Sequence, residues 1–429
     1  MSENVQNKRG LIVKGLTALA LVLLVVIYFV PVWWVSLTAP NYPAESFPDG
    51  VRINFHMNGV FNGCTLQKKT EIEELEALDC VHEMDAINHF VGMYPIASGG
   101  VLEKAFSPFL LSMLGVMLIG FMIFNPRLRV IVMSVGFLAI CAWMYMTFLS
   151  PGGLRYQNSG YLSAMVTVLG LGHEEEGEEL SPIIAKLRES LDAGTGISTR
   201  KDVMDTVNKS GQAGLSEALT KLHKGTVEGK VKTLKQILAE AKESELSGKA
   251  LSIQVLKGAF EADQEHKPIA KREQWNGSNW QLLFWHYGKN LGRWFNNPPE
   301  IAKLVKIQSL AGKVLLFGLP LVMVVMVFAG RNNGLLHWLL VVVPLALPVI
   351  FIVEYASWLW WYGHSMNEMG AFSLKPFMPT VFGVGKVAQF ATHSYPSIGF
   401  GLISLMSLLL ALAALIRRKM LREAASQSA

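Results

Sequence analysis

The sequence predicts an all-α polytopic membrane protein with six transmembrane helices. Of the 429 residues, 51% are hydrophobic and only 17% are charged, which is not typical of a soluble domain of this size. Six apolar segments also approach or reach the length that crosses about 30 Å of hydrocarbon as a helix. These segments are Leu11–Val35, Phe106–Phe124, Val130–Leu149, Gly312–Ala329, Leu335–Tyr355 and Ile398–Ile416.

The first apolar segment is predicted to be a retained anchor rather than a secretory signal peptide. Its apolar core is longer than a signal peptide needs, and it ends in the pair Trp33 and Trp34 without a small-residue cleavage site. Residues 1–35 are therefore assigned to an N-terminal anchor helix.

Basic residues at the ends of the apolar segments predict the orientation of the chain. They lie before helix one, between helices two and three, between helices four and five, and after helix six: Lys8, Arg9, Lys14, Arg127, Arg129, Arg331 and the run RRKMLR at Arg417–Arg422. With six crossings all of them fall on one side, which the positive-inside rule assigns to the cytoplasm. We therefore expect both termini to be cytoplasmic, in a bacterial inner membrane, and we expect no nucleic acid partner despite the net charge of +5.

This topology divides the chain into membrane and periplasmic parts. The periplasmic segments are 36–105, 150–311 and 358–397. Helices two and three occupy 106–149, helices four and five occupy 312–357, and helix six with its basic cytoplasmic tail occupies 398–429. Nine of the ten His residues then face the periplasm.

Two cysteines share the first periplasmic segment. A disulfide bond between Cys64 and Cys80 fits an oxidising compartment and would contribute about 3 kcal/mol in the chain-entropy model. The alternative is a metal site formed with His82, but a single C-x-H lacks the C-x-x-C spacing of typical metal motifs. The disulfide is the preferred interpretation.

The segment 150–311 has two parts with different character. From His173 to Arg272 it is polar with helical periodicity, which predicts an inserted set of amphipathic helices. The following stretch, Gln274–Phe295, carries Trp275, Trp280, Trp285 and Trp294 among basic residues. Such aromatic side chains favour the headgroup zone of a bilayer, so we expect an interfacial helix; an aromatic surface that docks a protein is the alternative.

Histidine and methionine are grouped in two periplasmic segments. The candidate metal ligands are His89, Met93, His364, Met366 and His393. Imidazole and thioether are ligands that copper prefers, especially Cu(I), and His89 and Met93 would share one face if both lay on a helix. The alternative is that each His is satisfied by other contacts and binds no metal.

The membrane segments offer little for ion transport or catalysis. Glu354, near the outer end of helix five, is one of the few ionisable residues in them, and ion-driven transporters need such groups at depth. Pro320, Pro344 and Pro348 are expected to kink their helices. There is no nucleotide-binding loop and no hydrolase motif, so we expect no catalytic activity.

Three stretches resemble a family of bacterial integral membrane proteins associated with gene clusters for nitrous oxide reductase and other periplasmic copper systems. They are PVWWVSLTAPNYP (Pro31–Pro43), INHFVGMYPI (Ile87–Ile96) and FMPTVFGVGKVAQFATHSYPSIGF (Phe377–Phe400). The resemblance implies a membrane component that serves a periplasmic copper enzyme, and it draws attention to His89 and Met93. Tyr42, Asn88, Lys386 and His393 lie in the same stretches.

The expected function is that of an accessory protein or subunit that binds copper, or docks a periplasmic copper protein, at the outer face of the membrane. Its expected site brings NHFVGM (Asn88–Met93) close to HSYP (His393–Pro396). The first alternative is a metal-free structural subunit of a membrane-bound oxidoreductase that holds lipid or quinone. A transporter is a weaker alternative, supported by Glu354 and the prolines.

Overall fold

The computed structural model describes residues 3–45, 47–64, 79–96, 100–169, 248–265, 267–371, 375–387 and 389–428. It is mostly helical. The helices are α1 (Glu3–Phe29), α2 (Cys80–Phe90), α3 (Val101–Met122), α4 (Pro126–Phe148), α5 (Ser159–Val168), α6 (Lys249–Glu265), α7 (Asn279–Trp294), α8 (Pro298–Ala329), α9 (Leu339–Leu345), α10 (Leu347–His364) and α11 (Ile398–Ser428). The strands are β1 (Trp33–Thr38), β2 (Val51–His56), β3 (Gly59–Asn62), β4 (Gly383–Val387) and β5 (Phe390–Pro396).

Five helices are long and apolar enough to cross a membrane. These spans are Gln6–Phe29, Val101–Met122, Pro126–Phe148, Pro298–Ala329 and Ile398–Ala424, and the bent pair Leu335–Leu345 and Leu347–His364 adds a sixth if it is one span. Each corresponds to a predicted segment. The chain is therefore a candidate membrane protein by helix length and composition.

The fifth predicted helix is broken as its prolines suggested. The two parts meet at Ala346 with a bend of 61°, and Pro344 and Pro348 flank the break. A proline cannot donate a backbone hydrogen bond and its ring clashes with the preceding turn. The predicted kink at these two prolines is confirmed, whereas Pro320 lies inside the unbroken α8.

The chain is not all-α, because five strands form an antiparallel sheet in the order β3-β2-β1-β5-β4. The first predicted helix was too long: α1 ends at Phe29, and Trp33 and Trp34 belong to β1. The pairing of β1 with β5 runs from Trp33 opposite Pro396 to Thr38 opposite Ala391. This pairing joins the first and third extramembrane segments, whose mutual packing was predicted.

The sheet and α2 share a small apolar core. Three residues of the sheet pack against one face of α2. The sheet contributes Leu37, Val51 and Ile53, and α2 contributes Cys80, Val81, Met84 and Ile87. A disulfide bond between Cys64 and Cys80 closes this core from the side, which confirms the predicted pairing. Trp33 packs instead against Tyr355 and Leu359 of α10, so the sheet is fixed to the helices as well as to α2.

Local sequence explains where most of these helices begin. The side chains of Asp79, Asn125, Asn158, Ser278 and Asn297 each accept hydrogen bonds from the first backbone N–H groups of α2, α4, α5, α7 and α8. Those N–H groups have no partner inside the helix. The extended start of α8 at Pro298, well before the predicted apolar segment, follows from this cap and the proline after it.

Basic residues from distant parts of the chain meet at one end of the helices. Arg9 forms an ion pair with Glu423 (2.6 Å), which places the start of α1 beside the end of α11. Arg129, which is fully buried, donates to the side chain of Asn333 (2.9 Å) between α8 and α9. Arg417 donates to a backbone carbonyl at the end of α3. Each of the four predicted basic clusters is therefore represented at this end of the helices, three by an Arg side chain and one by Asn333 of its loop.

The chain divides into two compact units, Met1–Leu169 with Asn276–Ala429, and Gly170–Trp275. The predicted segment 150–311 is thus split, because its two ends belong to the first unit. In the second unit the described part begins at Gly248 and contains α6, where Phe260 is buried and contacts Trp275 (ring centroids 5.3 Å). His173, His223 and the acidic run after Gly172 lie outside the described residues.

Candidate functional site

The stretch NHFVGM forms the C-terminal cap of α2. Gly92 has a left-handed backbone (φ 79°), its N–H donates to His89 O (2.9 Å), and Met93 N–H donates to Asn88 O (2.8 Å). This is the hydrogen-bond pattern of a Schellman cap, in which glycine supplies the left-handed residue. Because α2 ends at Phe90, the expectation that His89 and Met93 share a helical face is wrong.

The same cap is pressed against the loop that follows α10. Asn367 N–H donates to Gly92 O (2.7 Å). A Cβ atom on Gly92 would lie 2.5 Å from Asn367 O, and one on Gly370 would lie 2.6 Å from Gly92 N. Glycine is therefore required at both positions, and the stretch GHSMNEMG (Gly363–Gly370) contacts NHFVGM through its backbone.

The carboxylate of Glu300 stabilises this contact through hydrogen bonds. Tyr94 O–H donates to Glu300 Oε1 (2.6 Å), and the side-chain amide of Asn367 donates to Glu300 Oε2 (3.1 Å). Asn297, the cap of α8, donates to the same oxygen (2.9 Å). Burial and the hydrogen bond to Glu300 raise the pKa of Tyr94 well above its ordinary value. Glu300 therefore links α2, α8 and the loop after α10.

A second set of buried ionisable groups lies at the start of α3. Asp85 and Lys104 are 4% and 9% exposed, and Asp85 and Glu103 are the acidic neighbours of the Lys104 ammonium. Trp358 Nε1–H donates to Glu103 Oε1 (2.8 Å). Buried charges persist only when paired or hydrogen-bonded, and such groups cluster at functional sites.

A small cavity borders Lys104. Its volume is about 20 Å³, which is room for one water molecule, and its lining includes Tyr94, Lys104, His286 and Tyr287. The ring of His286 hydrogen bonds to Met165 O (2.8 Å) through Nε2. Burial and, to a smaller extent, the charge on Lys104 lower the pKa of His286 to about 4, although that hydrogen bond acts in the opposite direction. His286 is therefore neutral at pH 7.

We call these residues the polar cluster; its members are Asp85, Tyr94, Glu103, Lys104, His286, Tyr287, Glu300, Trp358 and Asn367. It lies at the N-terminal end of α3, whereas the basic residues lie at the C-terminal end of that helix. No sequence pattern predicted this cluster, although the two stretches NHFVGM and GHSMNEMG border it. The available signal was Glu103 and Lys104, a charged pair directly before a long apolar run.

His89 lies beside this cluster under aromatic rings. Its ring centroid is 5.0 Å from that of Phe295 and 5.9 Å from that of Trp294. His82, two turns earlier on α2, also contacts the Trp294 ring (ring centroids 5.3 Å). Among the described residues none hydrogen bonds to the buried Nδ1 of His89. Among the predicted ligands that the structure describes, that nitrogen is the one buried imidazole atom without a hydrogen bond.

The other predicted metal ligands are in different surroundings. His364 is exposed, stacks on Trp360 and hydrogen bonds to Trp360 O through Nδ1 (2.8 Å). His393 lies in β5 opposite Ser36 and Val384. Met93 is buried and Met366 partly buried. Within the described ranges no three His, Cys, Asp or Glu side chains are grouped to hold a metal ion.

The remaining motif residues have structural surroundings that the sequence did not predict. Tyr42 O–H donates to Glu83 (3.1 Å), and burial with this carboxylate raises the pKa of Tyr42 to about 12. Asn88 is buried in the α2 cap, and Lys386 is exposed on β4. HSYP lies in β5, and its register partners are in β1 and β4. NHFVGM contacts Asn367, and its expected approach to HSYP stays a prediction.

The aromatic stretch forms α7, whose buried face packs inside the protein. Tyr287 and Leu291 join Tyr94, Phe295 and Tyr362 in one apolar cluster. The side chains of Trp275, Trp280, Trp285 and Trp294 are each partly exposed. Both the interfacial and the protein-docking interpretations of these four residues stay predictions.

Neither a scan of protein-family models nor searches of curated proteins and solved structures found a match to this chain.

Proposed function

We propose that the protein is an integral membrane accessory subunit that serves a periplasmic copper enzyme, with His89 as its copper ligand and no catalytic activity of its own. The proposal places the sheet, α2 and the polar cluster in the periplasm and both termini in the cytoplasm of a bacterial inner membrane. The partner is a periplasmic copper protein or a subunit of a membrane oxidoreductase. The resemblance of three sequence stretches to a family from copper-enzyme gene clusters motivates this choice.

Two features support the proposed sidedness. Basic residues of α1, α4 and α11 lie together at one end, as the positive-inside rule requires of cytoplasmic ends. The Cys64–Cys80 disulfide lies in the part attached to the opposite ends of these helices, and disulfides persist in oxidising compartments.

The single observation that carries the copper assignment is the buried, unpaired Nδ1 of His89. Leaving such a nitrogen without a partner costs about 1–3 kcal/mol, and a bound ion would remove that cost. Neutral imidazole is a good ligand for copper. His82 is two helical turns away, about 10 Å along the axis, so the further ligands come from elsewhere, including Met93 and the partner protein.

Copper loading of the purified protein tests this assignment. The full chain in mild detergent is incubated with Cu(I), desalted and analysed for metal by mass spectrometry. We expect about one copper per chain in the natural protein and none in His89→Ala, whereas the matched variant His364→Ala keeps its copper. Equal copper in the natural protein and in His89→Ala would refute the assignment.

The second candidate is a metal-free structural subunit of a membrane oxidoreductase. It is favoured by the hydrogen bonds of the α2 cap and of Glu300, which account for NHFVGM and GHSMNEMG without any metal. It predicts that the natural protein and His89→Ala purify with the same partner subunits and that neither contains copper. A transport function has less support, and proteoliposome uptake of copper would be its test.

A further inference from the structure

The helix α10 is poorly covered by the rest of the chain. Only four of its 18 residues are buried, namely Tyr355, Leu359, Tyr362 and Gly363. Large apolar side chains on its other side are open, among them Val353 (59% exposed) and Trp360 (54% exposed). A helix with this pattern has one face in the protein and a second face that lipid or a partner covers.

The open residues form a continuous stripe. Ile350, Val353, Glu354, Ser357 and Trp360 are all exposed and recur at spacings of three and four residues, which places them on one face of a helix. We call this set the α10 stripe. Ser357 donates to Val353 O (2.6 Å), so its hydroxyl is satisfied and its small side chain permits close approach of another helix.

Glu354 is the exception within this apolar stripe. No described residue forms a hydrogen bond or ion pair with its carboxylate, although it belongs to a candidate membrane span. Ionisable side chains in membrane helices almost always face protein or a water-filled cavity, because facing lipid is costly. The charged neighbour that acts on it among the described residues is Glu103, which is also acidic, so the partner that would stabilise the Glu354 carboxylate is a cationic side chain.

The position of Glu354 along α10, relative to the sheet, indicates what covers the α10 stripe. The neighbouring Tyr355 lies beside Trp33 (ring centroids 5.7 Å) and Ser394 (O···O 3.3 Å), at the base of the sheet. The stripe therefore continues below this level with Ile350 and above it with Trp360. Lipid chains can cover the apolar residues below that level, and the headgroup zone accommodates Trp360 above it. Neither supplies a fixed cation for the Glu354 carboxylate, whereas a protein helix covers the whole stripe and can carry one.

We propose that the α10 stripe binds a transmembrane helix of a partner subunit that carries a Lys or Arg opposite Glu354. This inference rests on the subunit role proposed above but requires no copper. A second copy of this chain is a poorer occupant, because a two-fold contact centred on the stripe would bring two Glu354 carboxylates together.

Association with designed peptides in vesicles tests the proposal. The full chain, labelled with a fluorescent donor at its C-terminus, is reconstituted in phosphatidylcholine vesicles with acceptor-labelled polyleucine transmembrane peptides. One peptide carries a single Lys near its outer end and the other carries none. We expect the Lys peptide to associate about tenfold more tightly than the Leu peptide, as interhelical polar contacts of this kind suggest.

Two isosteric variants serve as test and control. Glu354→Gln should reduce binding of the Lys peptide to the level of the Leu peptide, whereas Glu423→Gln, at the opposite end of the helices, should leave it unchanged. Equal binding of both peptides, or no effect of Glu354→Gln, would overturn the proposal. Energy transfer between donor- and acceptor-labelled copies of the chain that depends on Glu354 would also overturn it, in favour of a self-interface. We expect neither variant to change the copper content of the protein. Failure of the copper assignment and failure of this interface are therefore distinguished by separate measurements.

Discussion

The backbone N–H of Asn367 donates a hydrogen bond to the carbonyl oxygen of Gly92, across more than 270 residues of sequence. The carbonyl belongs to the cap of α2, and the donor belongs to the loop after α10. Because Glu300 also accepts from the side chain of Asn367, a change at either backbone position affects three elements.

Substitution of Gly92 by Ala should lower the free energy of unfolding by about 2–4 kcal/mol. A left-handed conformation costs a non-glycine residue about 1–2 kcal/mol, and the added Cβ would lie 2.5 Å from Asn367 O, which adds the cost of overpacking. Gly152→Ala is the matched control, because Gly152 also has a positive φ (67°) but no heavy atom within 4 Å of the added Cβ. Thermal unfolding in mild detergent, followed by tryptophan fluorescence, measures both. Equal losses in the two variants would show that the contact with Asn367 contributes nothing.

Removal of the Tyr94 hydroxyl should destabilise the protein by about 1–2 kcal/mol. The hydrogen bond to Glu300 has a charged acceptor, and such bonds contribute more than neutral ones. The variant is Tyr94→Phe, and its control is Tyr145→Phe, because Tyr145 is 62% exposed. The same unfolding measurement applies. If Tyr94→Phe unfolds at the temperature of the natural protein, Glu300 does not hold the loop as described.

Reduction of the disulfide should destabilise the extramembrane part by about 3 kcal/mol, since the bond closes a loop between residues 16 apart in sequence. The double variant Cys64→Ser and Cys80→Ser should reproduce the effect. Thiol counting on the denatured protein checks the bond directly: one thiol, from Cys141, is expected before reduction and three after it. Three thiols before reduction would contradict the pairing.

Stability should fall as the pH falls from about 6.5 towards 4. Burial lowers the pKa of His286 to about 4 in the folded protein, whereas an unfolded chain has a His pKa near 6.5. The unfolded state therefore binds more protons in this range, and protonation costs the folded state up to about 3 kcal/mol. Above pH 6.5 His286 contributes no pH dependence. The neutral variant His286→Gln should show a shallower decrease in the same unfolding experiments; an identical slope in both proteins would exclude His286 as its source.

Helices and their breaks were predictable because their signals are local. A long apolar run needs no partner to be recognised, and Pro344 and Pro348 remove backbone hydrogen bonds wherever they occur. The strands were harder to predict. Trp33 and Trp34 continue an apolar run directly after α1, and their strand character depends on pairing with β2 and β5. Strand propensity is strongly context-dependent.

The polar cluster depends even more on the fold. Glu300 and Tyr94 are about 200 residues apart, and no local pattern marks them as partners. His89 was singled out because of its residue type and its grouping with Met93. That grouping did not predict that α2 ends at Phe90 or that Gly92 caps the helix. The sidedness stays a prediction, and it rests on the distribution of Lys and Arg, which is visible in the sequence itself.

The central pair of strands has a consequence for biosynthesis. The strand β1 leaves the ribosome more than 350 residues before β5, a delay of roughly 20–70 s at about 5–20 residues per second. Throughout that interval one edge of β1 is without its neighbour, although the helices between them are already being inserted. Translation that stops before Phe390 would yield a nascent chain with every earlier span in place and an open strand edge, a form that quality-control proteases and chaperones would recognise.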